Sequence, residues 1–338
     1  SPPWKNGFQR CFSTEAKTPT YDPMWKPKTK ASGRGWDYIE NLEDAIPYGT
    51  HYWNEKGDMV KDNLRGDDSR VIMDRAIPFI EEAAKAKKPF FTIVWFHTPH
   101  LPVVAGPKHA ALYGKHPTYA KNYYGCVTAM DEQVGRLRAK LRQLEVADNT
   151  MLWFCSDNGP EGQAGSAPGS AGPFRGRKRS LNEGGIRVPG LLEWPALTKP
   201  GSSTDFPAVT SDYLPTILDV LGIEYPDQRP VDGISLMPVL KGELKERDKP
   251  IGFAYGGKAA LTGQRYKILR AGARRAKPKG KKKPSPAKDQ LFDLLKDPGE
   301  TNDLAAKHPE ILKKMAQQLD QWLASCSQSN QGIDYPEK

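Results

Sequence analysis

Two apolar runs and the helical pattern between them constrain this chain more than any other feature. Residues 90–96 read FFTIVWF and residues 150–155 read TMLWFC. Runs rich in aromatic and β-branched side chains, without polar alternation, suit strands covered on both faces. Between them Val127, Met130, Val134, Leu137, Leu141 and Leu144 recur at steps of three and four, on one face of an amphipathic helix. Strand, helix and strand in that order predict a βαβ unit and an α/β sheet. Ligands of such sheets bind beyond the carboxyl ends of the strands. Both runs end there in polar residues, HTPH at 97–100 and SDN at 156–158.

The flanking sequence is less regular. Residues 1–67, rich in Pro, Gly, Trp and Tyr with little periodicity, read as long loops. From Ser69 the spacing of Met73, Ile77, Ile80 and Ala84 predicts a helix, kinked at Pro78 and stopped at Pro89 after a basic last turn. VPGLLEW at 188–194 predicts a strand. SDYLPTILDVLG at 211–222 predicts a short helix capped by Ser211 and ended by Gly222. After residue 245 the character changes. PIGFAYGG, AALTGQ, RYKILRAG and QLFDLL predict short antiparallel strands, and a final helix puts Leu312, Met315, Leu319 and Trp322 on one face. The expected organisation is a large α/β domain over 1–245 and a smaller α+β subdomain over 246–338. There is no internal repeat.

Composition narrows the function classes. The net charge is +10, but RRAKPKGKKKPSPAK at 274–288 carries eight Lys or Arg and no acid, which leaves +2 for the rest. The excess reads as one solvated, mobile loop rather than a nucleic-acid surface. No run approaches the length of a membrane span, and the opening SPPWKNGFQR has no apolar signal region. The four cysteines, Cys11, Cys126, Cys155 and Cys326, form neither a CxxC nor a disulfide framework and leave the redox compartment undecided.

Three clusters carry possible chemistry. Asp157 and Asn158 offer hard oxygen ligands suited to calcium or magnesium, and Asp-Asn-Gly is equally ordinary turn chemistry. His97 and His100 do not form a helical pair, and one of them reads as a plain loop residue. Arg175, Arg177, Lys178 and Arg179, on a Gly-rich loop leading to Glu183, Gly184 and Gly185, suit a tetrahedral oxyanion or a solvated basic loop.

Seven segments in order resemble the sulfatase family of the alkaline-phosphatase-like superfamily. They are PHLP, AMDEQVGRLRAKL, NTMLWFCSDNG, FRGRKRSLNEGGIRVPGLLEWP, LPTILDVLGI, VDGISLMPVLKG and LFDLLKDPGETNDLAAKHPE. The opening NGFQRCFSTEAKTPTYDP is similar to a segment of some bacterial sulfatases. The resemblance implies a three-layer α/β/α core, incomplete at the N-terminus, with the smaller C-terminal subdomain. It implies Asp157 and Asn158 as metal ligands, for Ca2+ rather than Mg2+. It implies His100 as a catalytic histidine near the ester oxygen and Lys178 as a sulfate contact. The implied activity is sulfuric ester hydrolysis of a sulfated carbohydrate or other sulfate ester, in a periplasmic or secreted protein without nucleic-acid partners or membrane span. The Trp and Tyr residues of 1–67 suit stacking on sugar rings or a core equally.

The chain departs from the family pattern in its nucleophile. No Cys or Ser has Pro at the second and Arg at the fourth following position, and the early Asp-Asp metal pair and the Gly-Lys-Trp-His stretch are absent. The expectation is a C-terminal part of a sulfatase, inactive alone. Its formylglycine would lie upstream, made by a formylglycine-generating or anaerobic maturase enzyme. A phosphodiesterase or phosphonate hydrolase of the same superfamily, or a non-catalytic sulfatase-like protein, are the alternatives.

Overall fold

The computed structural model describes residues 2–29, 32–225, 230–272 and 288–334, so the basic run lies, apart from Lys288, outside the described residues. The chain divides into two compact units, Ser1–Thr150 and Met151–Lys338.

The first unit is organised by two long helices. α1 (Asp68–Lys85) begins where the Asp67 carboxylate accepts the Arg70 backbone N–H, and runs uninterrupted through Pro78. It buries Val71, Ile72, Met73, Ile77 and Ile80. After the short α2 (Pro107–Leu112), α3 (Thr118–Gln143) packs on α1 and α2. It starts nine residues before the apolar face that predicted it, because its first half buries a small-residue face: Asn122, Gly125, Cys126 and Ala129. A Cβ at Gly125 would stand 2.5 Å from the Ala105 Cβ, so that approach requires glycine. Residues 1–67 are not wholly loop. Strand β1 (Phe12–Thr14) pairs with β4 (Tyr52–Asn54), and β2 (Trp25–Pro27) with β3 (Ala45–Pro47), all antiparallel. Tyr52 is core, its ring 4.0 Å from that of Phe12.

The segment 90–96 corrects the expectation of a strand covered on both faces. It pairs in no ladder among the described residues. Its side chains alternate as in a strand: Val94 and Phe96 pack on Tyr52, Leu64, Val71 and Ile72, while Phe91, Ile93 and Trp95 are 57%, 47% and 82% exposed. Composition gave the extended backbone; a ladder also requires neighbouring strands.

In the second unit, β5 (Leu152–Cys155) pairs antiparallel with β6 (Gly190–Glu193). The two predicted strands exist, and they pair with each other as an antiparallel return ladder. The chain comes back through a loop that contains only the one-turn helix α4 (Glu183–Ile186). Helix α5 (Tyr213–Leu221) ends on Gly222 at φ 63°, as predicted. Its start is held by Asp212, not Ser211. The Asp212 carboxylate accepts the Val209 and Ile234 N–H groups at 2.9 Å each and pairs at 2.8 Å with Arg247, both side chains fully buried. The short α6 (Met237–Leu240) follows.

The predicted antiparallel strands form one sheet in the order β10-β9-β8-β7. They are β7 (Ile251–Tyr255), β8 (Lys258–Thr262), β9 (Tyr266–Arg270) and β10 (Asp289–Asp293). Their period of two sorts the two faces. Ala259, Leu261, Ile268 and Leu291 meet Met315 and Leu319 of α7 (Pro309–Asn330). Ala260, Leu269 and Phe292 face the other way and enclose Leu181, from the loop before α4.

Candidate active site

The β5–β6 ladder fixes the base of the Asp157 turn. Cys155 sits opposite Gly190, and the next N–H, of Ser156, points to the Pro189 carbonyl at 3.4 Å. Ser156 Oγ donates to the Asn158 carbonyl at 3.0 Å, and Asn158 Nδ2 to the Gly159 carbonyl at 3.0 Å. The Asn158 amide nitrogen is thereby committed and its Oδ1 is left as an acceptor. Asp157 is exposed, and its carboxylate has no hydrogen bond or ion pair among the described residues.

This turn and the Lys178 loop are one backbone unit. Gly159 N–H donates to Gly185 at 2.9 Å, Lys178 N–H to Pro160 at 3.1 Å and Gly184 N–H to Arg175 at 2.7 Å. Two glycines make the approach possible. A Cβ would fall 1.9 Å from the Gly184 oxygen at Gly159, and 2.3 Å from the Gly176 oxygen at Gly184.

The four cations of the loop are not equivalent. Arg177 donates to the carbonyls of Glu161 (2.9 Å) and Gly169 (3.2 Å), tying down the Gly-, Ser- and Ala-rich segment. Arg179, with its backbone at φ 72°, binds the Glu161 carboxylate at 2.7 Å. That hydrogen bond holds Glu161 below the usual carboxylate range. Arg175 donates to the Glu300 carbonyl at 3.2 Å. Lys178 Nζ lies 3.8 Å from Glu161, beyond hydrogen-bond range, and its charge is the least committed of the four.

The two histidines lie in the first unit and differ sharply. His97 uses both ring nitrogens: Nδ1 is 2.8 Å from buried Asp68, and Nε2 is 3.0 Å from Thr14 Oγ1. Tyr52 donates to the other Asp68 oxygen at 2.6 Å, and its burial raises the phenol's pKa. His100 is exposed; its Nδ1 lies 2.8 Å from the Leu101 carbonyl. A carbonyl can only accept, so Nδ1 carries the proton and Nε2 is left without a hydrogen bond among the described residues.

Asp157, Asn158 and Lys178 are thus brought together by backbone hydrogen bonds within one unit, and His100 stands on a separate loop in the other. An unpartnered carboxylate beside a free amide oxygen fits a hard cation. Two donors are part of a coordination shell, and the described residues contain no cluster of three or more acidic, His or Cys side chains able to hold a metal.

Sequence reasoning missed the groups behind the site: Asp68 behind His97, Glu161 beside Lys178, and a buried cluster of Glu183, Lys267 and Glu300. One signal was readable. Lys267 and Leu269 share a face of a strand whose neighbours are apolar, and a lysine there needs a buried partner.

The second unit thus presents a carboxylate, an amide oxygen and a lysine on segments joined by backbone hydrogen bonds. The Sulfatase family model matches residues 5–223, and the N-sulphoglucosamine sulphohydrolase C-terminal model matches 172–325. The chain belongs to the sulfatase family. It is 32% identical over 274 residues to N-acetylgalactosamine-6-sulfatase of Sus scrofa, covering 78% of this chain and 48% of that protein. It is 35% identical over 175 residues to steryl-sulfatase of Rattus norvegicus, covering 49% and 28%. Among solved structures, Ps i-CgsB in complex with k-i-k-neocarrahexaose superposes with a TM-score of 0.71 at 26% identity, covering 84% of this chain and 62% of that one. The chain therefore has the alkaline-phosphatase-like α/β fold, and its match spans about half the length of N-acetylgalactosamine-6-sulfatase and little more than a quarter of steryl-sulfatase. Among the described residues no helix is long and apolar enough to cross a membrane.

Proposed function

We propose that this chain forms the sulfate-holding part of a sulfuric ester hydrolase acting on a sulfated carbohydrate. The carrying observation is the backbone lock between the Asp157–Asn158 turn and the Lys178 loop, with Asp157 unpartnered and Lys178 only loosely paired. Ps i-CgsB, solved in complex with k-i-k-neocarrahexaose, and the N-acetylgalactosamine-6-sulfatase support the carbohydrate class.

Asp157 and Asn158 Oδ1 would hold calcium, in preference to magnesium, as part of a larger ligand set. When bound, the cation supplies positive charge for the nucleophile and a sulfate oxygen. The sulfatase family uses a formylglycine, and no residue of this chain carries its motif, so we assign the nucleophile to sequence outside this chain, matured by a formylglycine-generating or anaerobic enzyme. Lys178 neutralises sulfate oxygens, most strongly as negative charge builds up on them. His100, as imidazolium, donates from Nε2 to the leaving alcohol. His97 shapes the loop. A periplasmic or secreted location agrees with this substrate class.

The test is turnover by the full-length protein, co-expressed with a formylglycine-generating enzyme, on sulfated oligosaccharides and an aryl sulfate, with and without a chelator. Metal-dependent sulfate release is expected. Faster cleavage of the matching phosphate ester would make it a phosphohydrolase, and no turnover of either by the matured protein would make it a binding protein.

A further inference from the structure

The loop that carries Lys178 is held from behind by the C-terminal sheet. Leu181 plugs into the apolar face formed by Ala260, Leu269 and Phe292. Two residues further on, Glu183 is 5% exposed, and its Oε1 accepts Lys267 Nζ at 2.8 Å. The Lys267 side chain is fully buried in β9, and its ammonium also lies 3.0 Å from Glu300 Oε1, an ion-pair distance without hydrogen-bond alignment. The second Glu300 oxygen accepts the Glu183 backbone N–H at 2.7 Å. Glu300 is itself fully buried, with its backbone at φ 54° and its carbonyl bound by Arg175. Arg187, half-exposed, stands 3.9 Å from the outer oxygen of Glu183.

Two buried carboxylates around one buried ammonium are a costly arrangement. Replacing such clusters by neutral groups is often neutral or stabilising, so stability alone is weak grounds for their presence. The geometry here gives the cluster a different task. Glu183 opens α4, and Gly184 and Gly185, the next residues, make the hydrogen bonds to Arg175 and to Gly159 that join the Lys178 loop to the Asp157 turn. Lys267 and Glu300 grip both the side chain and the backbone N–H of Glu183.

We propose that Lys267, with Glu300, is a positioning residue for the oxyanion site: it fixes Glu183, and through it the relative placement of Lys178 and the Asp157–Asn158 turn. Lys267 is fully buried and its ammonium faces the two carboxylates, so it acts through them. The inference deepens the proposed function and rests on it for the identity of the oxyanion.

The test uses the full-length, matured protein in two variants, Lys267→Met and the neutral triple Glu183→Gln/Lys267→Met/Glu300→Gln, which leaves no unpaired buried charge should the single variant fail to fold. Hydrogen exchange reads the positioning without substrate. Protection of the Gly159, Lys178, Gly184 and Gly185 amides should fall at least tenfold while that of β8, β9 and α7 stays within about twofold. Turnover should fall by on the order of a hundredfold, the cost of an ångström-scale misplacement, and inhibition by inorganic sulfate should weaken with it. In a Lys178→Ala background the same substitutions should change turnover by less than about twofold, because coupled residues are not additive. Unchanged amide protection in a folded variant overturns the proposal, as does a full hundredfold loss in the Lys178→Ala background. Lost protection, together with a Lys178→Ala protein that keeps its turnover and sulfate inhibition, leaves the clamp standing and removes the functional reading instead.

Discussion

The two loops that carry the candidate residues are immobilised in opposite ways. In the first unit, Asp68 holds the 97–102 loop through a side chain of the loop itself: His97 lies against Asp68, with Tyr52 and Thr14 completing the network. In the second, Glu183, Lys267 and Glu300 hold the 174–187 loop from behind, with Leu181 as an apolar plug. The difference is instructive. The first device uses both ring nitrogens of one histidine and leaves its neighbour His100 exposed. The second leaves the Lys178 side chain uninvolved, because it acts on Glu183, further along the same loop. Each loop thus has buried residues that hold it and a proposed site residue outside the holding network, and the two kinds can be separated by measurement.

The largest expected effect lies on the second loop. Lys178→Ala should lower kcat of the matured protein by about a thousandfold, the upper scale for removing one oxyanion-stabilising group, with the melting temperature unchanged. An equal loss on neutral, unsulfated analogues of binding would show that the lysine holds the sugar rather than the sulfate.

Next is the pH dependence of the first unit. Burial, reinforced by the neighbouring Asp68 carboxylate, pushes Asp67 from its ordinary 3.8 to about 7, and one of its oxygens is buried without a partner. A raised folded-state value means that the native protein binds the proton more tightly than the unfolded chain. The contribution of Asp67 to stability is therefore full below about pH 4 and is lost as pH rises through 7. A rise from 3.8 to about 7 corresponds to at most about 4 kcal/mol. Asp67→Asn, which keeps a capping oxygen, should flatten that slope in urea titrations at pH 4 and pH 8. A slope that survives the substitution would place the titrating group elsewhere.

The histidines sharpen the comparison within one loop. His100→Ala should cost kcat roughly a hundredfold, the scale of general-acid loss, and leave stability alone. His97→Ala should do the reverse, costing about 1–3 kcal/mol in denaturant unfolding by stripping a buried carboxylate of one partner. If the two profiles are exchanged, the loop residue and the catalytic residue have been assigned the wrong way round.

The smallest effect concerns the turn. Asp157→Ala should weaken calcium binding to the full-length protein at least about tenfold by titration calorimetry, since the cation loses an anionic ligand. Equal affinity would reduce Asp157 to turn chemistry.

Much of this was legible in sequence because it is local. The meander of four strands, α7 with Met315 and Leu319 inward, and the Gly222 stop follow from periods of two and 3.6 and from one residue's freedom at positive φ. The turn at 156–159 was legible too, as a polar cluster after an apolar run. What failed was a statement about partners. FFTIVWF was read as covered on both faces, and Phe91, Ile93 and Trp95 are exposed.

The sequence by itself determined most of the helices, the C-terminal meander and the family the chain belongs to. Tertiary structure decided which charges are paired in support and which are left uncommitted. Glu183 meets Lys267 across 84 residues and Glu300 across 117. No local period encodes such pairs, because a buried charge is tolerated only where the folded chain brings its counter-charge, and that depends on the packing of the whole unit. Four cations stand within five positions of one another at 175–179; the family resemblance singles out Lys178, and the fold shows why the three arginines differ from it, since their side chains hold the loop in place.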